Sequence, residues 1–477
     1  MASLTRILII FACLYSPCFA YLDPGSGSLL LSSVVAILIS GIFFFKSIIY
    51  KFNSLIGGGG RNLTFRSKRS IKSKGLDSQD TDTGIIFYCE GKQYANVFLP
   101  ILEYFDSLSY PYIYYTSSHD DPLLLRANTS KLAHFEFIGD PNRAWVKLNS
   151  LVANIVVMTT PALDVLQIHR SKGVKHYCHI VHSPASVDTY EVFALDYFDS
   201  VLVNSTIHEP FIREVERVRN LKAKEIIVSG CTYLDVLHKK LQDFYAQTPQ
   251  PTKDSSQPKT ILISPSWGRE ALLSKYGMQL IAPLAKAGFE VIIRPHPQSF
   301  ISESKLITSL QTLTQTYPNI CWDTHTCNIY ALHKADLMVG DFSGVIFDFL
   351  CLFAKPIITI ETDFNTTGYD LEDTSFTEPW VCGVLRLIGK NIKAEQIHRI
   401  DHIAHEILHS QASGEIQANI QALKSSLWTF QGHAGETCGK ALLKLQQALL
   451  RSQLDSQIFS EVLRIQEILK QERNVYA

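Results

Sequence analysis

From residue 84 onward, short runs of β-branched and aromatic residues alternate with stretches whose apolar positions recur at helical spacing. The runs at 85–89, 112–115, 135–138, 155–158, 176–181, 200–203 and 225–228 predict strands, with helices between several of them, as at 96–107 and 209–218. Residues 155–158 read Ile-Val-Val-Met, the continuous apolar pattern of a strand covered on both faces. The alternation breaks at 239–258, a polar stretch containing Pro249, Pro251 and Pro258. It restarts with predicted strands at 260–264, 289–294, 337–339 and 356–359. Such alternation predicts an α/β protein with largely parallel sheets, here two Rossmann-like domains at 84–238 and 259–440 joined by the 239–258 linker. Two such domains enclose a cleft, and ligands of open α/β sheets sit at the strand carboxyl ends. Residues 441–477 predict a charge-bearing amphipathic helical pair or tail.

The first 83 residues follow a different pattern. Residues 1–20 read as a signal segment: Arg6, an apolar stretch at 7–15, then Cys18-Phe19-Ala20 as a small-residue cleavage site before Tyr21. No charged residue occurs between Gly25 and Phe45, which predicts a transmembrane helix at 26–46, close to the ~20 residues needed to cross the hydrocarbon layer. Lys46, Lys51, Arg61, Arg66, Lys68, Arg69, Lys72 and Lys74 follow with no acid before Asp77, so the positive-inside rule places the large body in the cytoplasm, at the inner membrane. Residues 47–83 form a basic tether, and the four glycines at 57–60 lack the strand and the Gly-Lys-Ser/Thr ending of a nucleotide loop.

Composition narrows the function classes. The 477 residues include 44 Lys and Arg against 45 Asp and Glu, a net charge of −1, so no global basic field points to nucleic acid. With 19% charged and 46% hydrophobic residues the chain is neither mainly disordered nor a charge-rich coiled coil. Its ten cysteines contain no CxxC pair, and Cys321, His325 and Cys327 lack the fourth ligand and spacing of a zinc site, so neither metal nor cofactor is expected.

Four segments carry candidate chemistry, each at the end of a predicted strand. Arg294-Pro295-His296-Pro297 leaves an apolar strand through a proline-stiffened turn, with a guanidinium suited to phosphate oxygens and an imidazole able to donate beside it. Asp341-Phe342-Ser343-Gly344 reads as a small-residue turn into a helix whose first amides can bind an anion, with Asp348 one turn in as a dipole-complementing acid. His182, followed by Ser183-Pro184, ends a strand in the other domain and is a candidate general base or a hydrogen-bonded loop histidine, while His179 on the opposite strand face packs. Ser264-Pro265-Ser266-Trp267-Gly268-Arg269 offers Ser266 and Arg269 to phosphate, or a helix cap and a core tryptophan.

In order and spacing this set resembles the CDP-glycerol glycerophosphotransferase family of teichoic-acid and capsule enzymes, over about residues 170–440. The likeness rests on the His182 loop, residues 199–205, 230–237 and 264–269, Arg294-Pro295-His296-Pro297, Asp341-Phe342-Ser343-Gly344-Val345-Ile346-Phe347-Asp348, Lys355-Pro356, 361–369 and the late Gly432-His433-Ala434. The resemblance implies a GT-B fold. It also implies attack of a hydroxyl on a membrane-associated glycan or polymer, lipid-linked or otherwise, at the β-phosphorus of CDP-glycerol or a related CDP-alditol, releasing CMP. On that reading His182 is the base, Arg294 and His296 hold the donor diphosphate, Ser343 and Gly344 contact phosphate, and Asp341 and Asp348 support the loop. The sequence differs from the family pattern at Val181-His182-Ser183-Pro184, where Trp-His-Gly-Thr is usual, and at Gly344, where a second serine is common. A sugar-nucleotide transferase or epimerase of the same fold, and an inactive membrane scaffold, are the competing readings.

Overall fold

The computed structural model describes residues 84–128, 130, 132–247, 257–325, 327–361, 366–409 and 413–475. The expected signal segment, the 26–46 span and the tether lie outside these residues. No helix among the described residues is long and apolar enough to cross a membrane.

The first domain is a seven-stranded sheet in the order β3-β2-β1-β4-β5-β6-β7, all neighbours parallel. Its strands are β1 (Ile85–Cys89), β2 (Tyr112–Thr116), β3 (Ala133–Phe137), β4 (Val152–Met158), β5 (Gly173–Ile180), β6 (Ser200–Val203) and β7 (Glu225–Val228). Parallel neighbours require crossovers, which place cover on both faces, and two separate apolar clusters flank this sheet. On one face helix α1 (Ala95–Ser107) buries Phe98, Ile101, Leu102 and Phe105. Helix α2 (Thr232–Gln247) follows β7 and leads toward the second domain.

The second domain repeats the plan with six parallel strands in the order β10-β9-β8-β11-β12-β13. They are β8 (Thr260–Ile263), β9 (Glu290–Ile293), β10 (Ile320–Trp322), β11 (Leu337–Gly340), β12 (Ile357–Ile360) and β13 (Gly389–Ile392). Helix α3 (Val345–Phe353) follows β11 and buries Ile346, Phe347, Phe349 and Leu350. Helix α4 (Trp380–Leu385) precedes β13.

The carboxyl-terminal part differs from the tail anticipated at 441–477. One helix, α5, runs from Ala434 to Val475, and its first turns belong to the first domain. Cys438, Leu442 and Leu445 are buried in the same cluster as α1. Contact is close because both crossing residues are glycines: a Cβ on Gly435 would lie 2.5 Å from Pro100, and one on Gly439 would lie 2.2 Å from Tyr104. Asp235 of α2 fixes the return, accepting from Trp428 Nε1, Gly432 N and Ala434 N at 2.8–2.9 Å. Those bonds satisfy amides that a helix start otherwise leaves open.

A second tie joins the domains. Residues 366–373, beyond β12, lie on the first domain, where Tyr369 and Glu191 form an isolated antiparallel bridge. Leu371 is buried in the first domain's cluster. Arg219 holds Asp370 at 2.7 Å, Asp196 at 2.8 Å and Asp373 at 2.6 Å. From the first domain's 187–189 turn, Asp188 accepts from the amide of Trp380 at the start of α4.

Candidate functional site

The carboxyl ends of both sheets supply the candidate side chains. In the second domain the strand order reverses between β8 and β11, and the loops leaving these two strands are stitched together there. Asp341, 2% exposed, accepts from Ser266 N at 2.9 and 3.1 Å, Ser343 N at 3.1 Å and Leu272 N at 3.3 Å. Burial pushes its carboxyl above the usual range, while the amide bonds pull it back. Asp341 is thus a brace shaping two turns, and the Ser343 amide is committed to it. Ser266 is buried behind the same carboxylate, while Arg269 is exposed on its turn.

Helix α3 starts after Ser343-Gly344 with Gly344 exposed as N-cap and no side-chain capping bond. In its first turn Ile346 N donates to Ser343 O at 3.1 Å and Phe347 N to Gly344 O at 3.0 Å, and the positive end of the helix dipole there suits an anion. Asp348 does not complement that dipole from the surface. It is turned inward, accepting from Tyr233 Oη at 3.1 Å and Asn328 Nδ2 at 2.8 Å, and burial pushes its pKa up to about 7. It pins α3 to α2 across the domain boundary.

Arg294 leaves β9 and is paired with Asp323, which follows β10; the two side chains are only 11% and 8% exposed. A carboxylate at this position fixes the guanidinium plane and offsets its charge. Asp323 was not singled out in the sequence, because the three-residue strand before it was not recognised. His296 accepts from Gln298 N at 3.1 Å through Nδ1, so its proton resides on Nε2, and burial lowers its pKa. The Trp267 ring lies 6.3 Å from the His296 ring. Beside the Asp341 turn, Phe342, Ile360, Glu361, Arg386 and Asn391 line a cavity of about 260 Å³.

In the first domain His182 follows β5 and sits in an aromatic box. Tyr190 stacks on it at 6.2 Å and 11°, with its hydroxyl 3.5 Å from Nδ1, and Tyr94 meets the ring edge-on at 4.9 Å. Burial lowers its pKa to about 4, so the ring is neutral near pH 7. His179 packs between Tyr190 and Phe198, fully buried. Neither Tyr190 nor Tyr94 was anticipated; an aromatic residue eight positions after a strand-end histidine carries no local signal.

The two halves meet at this point. Ser183 Oγ lies 3.7 Å from where a Cβ on Gly344 would stand, so the His182 loop faces the uncapped start of α3. Ser183 is held by Ala185 N at 3.2 Å and by Asn204, which donates to its carbonyl. The neutral imidazole of His182 thus belongs to a loop that faces the start of α3, while Arg294 and His296 follow β9 of the same second domain. Among the described residues no cluster of three or more His, Cys, Asp or Glu side chains could hold a metal ion.

Solved structures share the architecture. UDP-GlcNAc 2-epimerase from Neisseria meningitidis, bound to UDP-GlcNAc, aligns over 76% of this chain and 100% of its own, with a TM-score of 0.50 and 14% identity. The wall teichoic acid polymerase TagF aligns over 78% of this chain and 90% of its own, with a TM-score of 0.49 and 15% identity. No curated protein sequence matches the chain. The profile of CDP-glycerol:poly(glycerophosphate) glycerophosphotransferase matches residues 78–376, from the edge of β1 through both strand-end clusters. The chain belongs to that family and is a CDP-glycerol glycerophosphotransferase-like enzyme.

Proposed function

We propose that this enzyme is anchored in the cytoplasmic membrane by residues 26–46. There it transfers glycerol phosphate, or a related alditol phosphate, from its CDP-linked donor to a hydroxyl of a membrane-associated glycan or polymer. His182 takes the acceptor proton on Nε2, the acceptor oxygen bonds to the β-phosphorus, the bond to the bridging oxygen breaks, and CMP leaves. The His182 ring starts neutral, and an anionic donor beside it raises its proton affinity during attack. On the donor side Arg294 and His296 bind the diphosphate together with the Ser343 hydroxyl, the Gly344 amide and the turn of Ser266 and Arg269. The cavity beside Phe342 receives the nucleoside. Positioning and charge neutralisation suffice for such a transfer, and no covalent enzyme intermediate is needed.

The observation carrying this reading is the approach of the His182 loop to the uncapped α3 start, marked by Ser183 Oγ 3.7 Å from the Gly344 Cβ position. It supports a base and an anion-binding wall that share one cleft. The test is calorimetric titration of the full chain in detergent with CDP-glycerol, CDP-ribitol, CMP and UDP-N-acetylglucosamine. Binding of a CDP-alditol and CMP, weakened at least tenfold by Arg294→Ala, is the expected outcome. Preference for the UDP-sugar would replace this donor by a sugar nucleotide.

A further inference from the structure

Helix α5 continues well beyond its seat on the first domain. Cys438, Leu442 and Leu445 are buried against that domain, but every residue from Leu454 to Glu467 is exposed. This stretch therefore stands clear of the body. A bare helix of this length is marginal in water unless an apolar face is covered. At about 100° per residue, Leu450, Leu454, Ile458, Val462 and Ile465 fall within about 120° of arc. Leu454 is 56% exposed and Ile458 54%. Cys438, Leu442 and Leu445 fall on the opposite side of the same helix, so the stripe is a second face that the body does not use.

The charges decide what covers this face. Arg451 and Glu461 lie on the same arc as the stripe. Glu461 makes an ion pair with Arg464 at 3.7 Å, but both side chains are exposed and such a pair holds weakly. Between 447 and 467 the charged residues are Arg451 and Arg464 against Asp455, Glu461 and Glu467, so the stretch has no basic surplus for anionic lipid headgroups. Laid on a membrane, the stripe would also carry Arg451 and Glu461 toward the acyl chains, at a desolvation cost.

A second copy of the chain satisfies both charges. Two α5 helices packed antiparallel about Ser456 set Leu454 of one copy against Ile458 of the other, and Leu450 against Val462. The same register sets Arg451 against Glu461 of the second copy, and two-fold symmetry makes each contact twice. A parallel pair would instead bring Arg451 to Arg451 and Glu461 to Glu461, like against like. The side of α5 that must receive the second helix is open, since Lys440, Lys444 and Gln447 continue the arc of the stripe toward the body and are exposed. Contact over 450–465 would be about 25 Å long and bury on the order of 1,000 Å² in total, which meets the lower bound for a specific interface. We infer that α5 is a self-association arm whose 450–465 stripe pairs antiparallel with the same stripe of a second copy, joining two bodies through their tails. The inference is independent of the transferase reading, because it uses no residue of the candidate site.

The test is sedimentation equilibrium of the full chain in density-matched detergent over a hundredfold range of concentration. The native chain is expected to pass reversibly from monomer to dimer. Leu454→Asp combined with Ile458→Asp should weaken the dimer at least tenfold. Arg451→Glu alone and Glu461→Arg alone should each weaken it at least threefold, and the two together should restore it to within twofold of native. That rescue reports the antiparallel register, because two changes that merely loosened the helix would add. A chain monomeric at every concentration overturns the proposal and leaves the stripe to a lipid surface or a different protein. A dimer indifferent to the two aspartates overturns it as well, as does a double charge reversal that fails to recover what the single ones lost. All four positions are exposed, so the melting temperature of each variant should match the native one. If the aspartates instead loosen the helix, the charge reversals decide alone.

Discussion

The two halves of the cleft solve opposite electrostatic problems. The first domain buries three histidines as neutral rings: burial lowers His182 and His208 to about 4 and His179 to about 3. The second domain buries carboxylates and wires them to its own loops, Asp341 to three backbone amides, Asp348 to Tyr233 and Asn328, and Asp323 to Arg294. A base must be uncharged to accept a proton, whereas an anion wall must hold several donors in one geometry without collapsing onto itself. The difference shows that the buried carboxylates of the second domain hold its own loops and side chains in place.

Removing the base tests the first half most severely. His182→Ala should cut transfer about 10³-fold, within the range for general-base loss, while CDP-glycerol affinity changes less than about threefold. A steady-state assay beside a donor titration checks this; parallel loss of both would reduce His182 to a structural group. Arg294→Ala probes the second half and should cost about 3 kcal/mol in donor binding and turnover together, as for a lost charge-stabilising donor. It also leaves Asp323 buried without its partner, so the melting temperature should fall too. In the Arg294→Ala, Asp323→Ala double variant part of the stability should return while activity stays low, which separates anchoring from chemistry.

Much of the framework was legible because a covered parallel strand writes itself as a continuous apolar run. Strands β1, β6 and β7 occupy the stretches predicted for them, at 85–89, 200–203 and 225–228. The two edge strands of the second sheet were not legible. Strand β10 has only three residues, and β13 reads Gly-Lys-Asn-Ile, with Gly389 present because a Cβ there would lie 1.7 Å from Ile357 O. The α5 docking was hidden for a similar reason: Gly435 and Gly439 argue against a helix by propensity, yet they permit its close contact with α1. At the site, strand-end loops announce themselves through Pro, Gly and polar residues, but their partners do not. Ser266 and Asp341 are 75 positions apart, and Arg294 and Asp323 are 29 apart. Only the folded register brings them together.

Asp235→Ala addresses the coupling between the halves, since this carboxylate holds the turn that returns the chain from the second domain to the first. Losing three acceptor contacts should cost about 2 kcal/mol, read as a lower denaturation midpoint with an unchanged slope. An unaltered midpoint would mean that the α1–α5 packing alone fixes the return.

The smallest effect gives the sharpest contrast, because the two halves should respond to pH with opposite sign. The histidines have folded pKa values near 3–4, below the ordinary 6.5, so their contribution is present above pH 6.5 and is lost as pH falls through about 4. Asp348, at about 7 against an ordinary 3.8, contributes fully below pH 3.8 and loses that contribution as pH rises through 7. Asp348→Asn keeps a neutral acceptor for Tyr233 and Asn328, so at pH 5 it should change stability by only about 1 kcal/mol. Between pH 5 and 7.5, however, native stability should decline relative to that of the variant, because the unfolded chain gives up the Asp348 proton while the buried folded carboxyl keeps it until about pH 7. Denaturant titrations of both proteins across this interval check the slope. Parallel curves would show that Asp348 is already ionised in the folded state, and the donor half would then hold a buried charge where the bonds to Tyr233 and Asn328 outweigh desolvation.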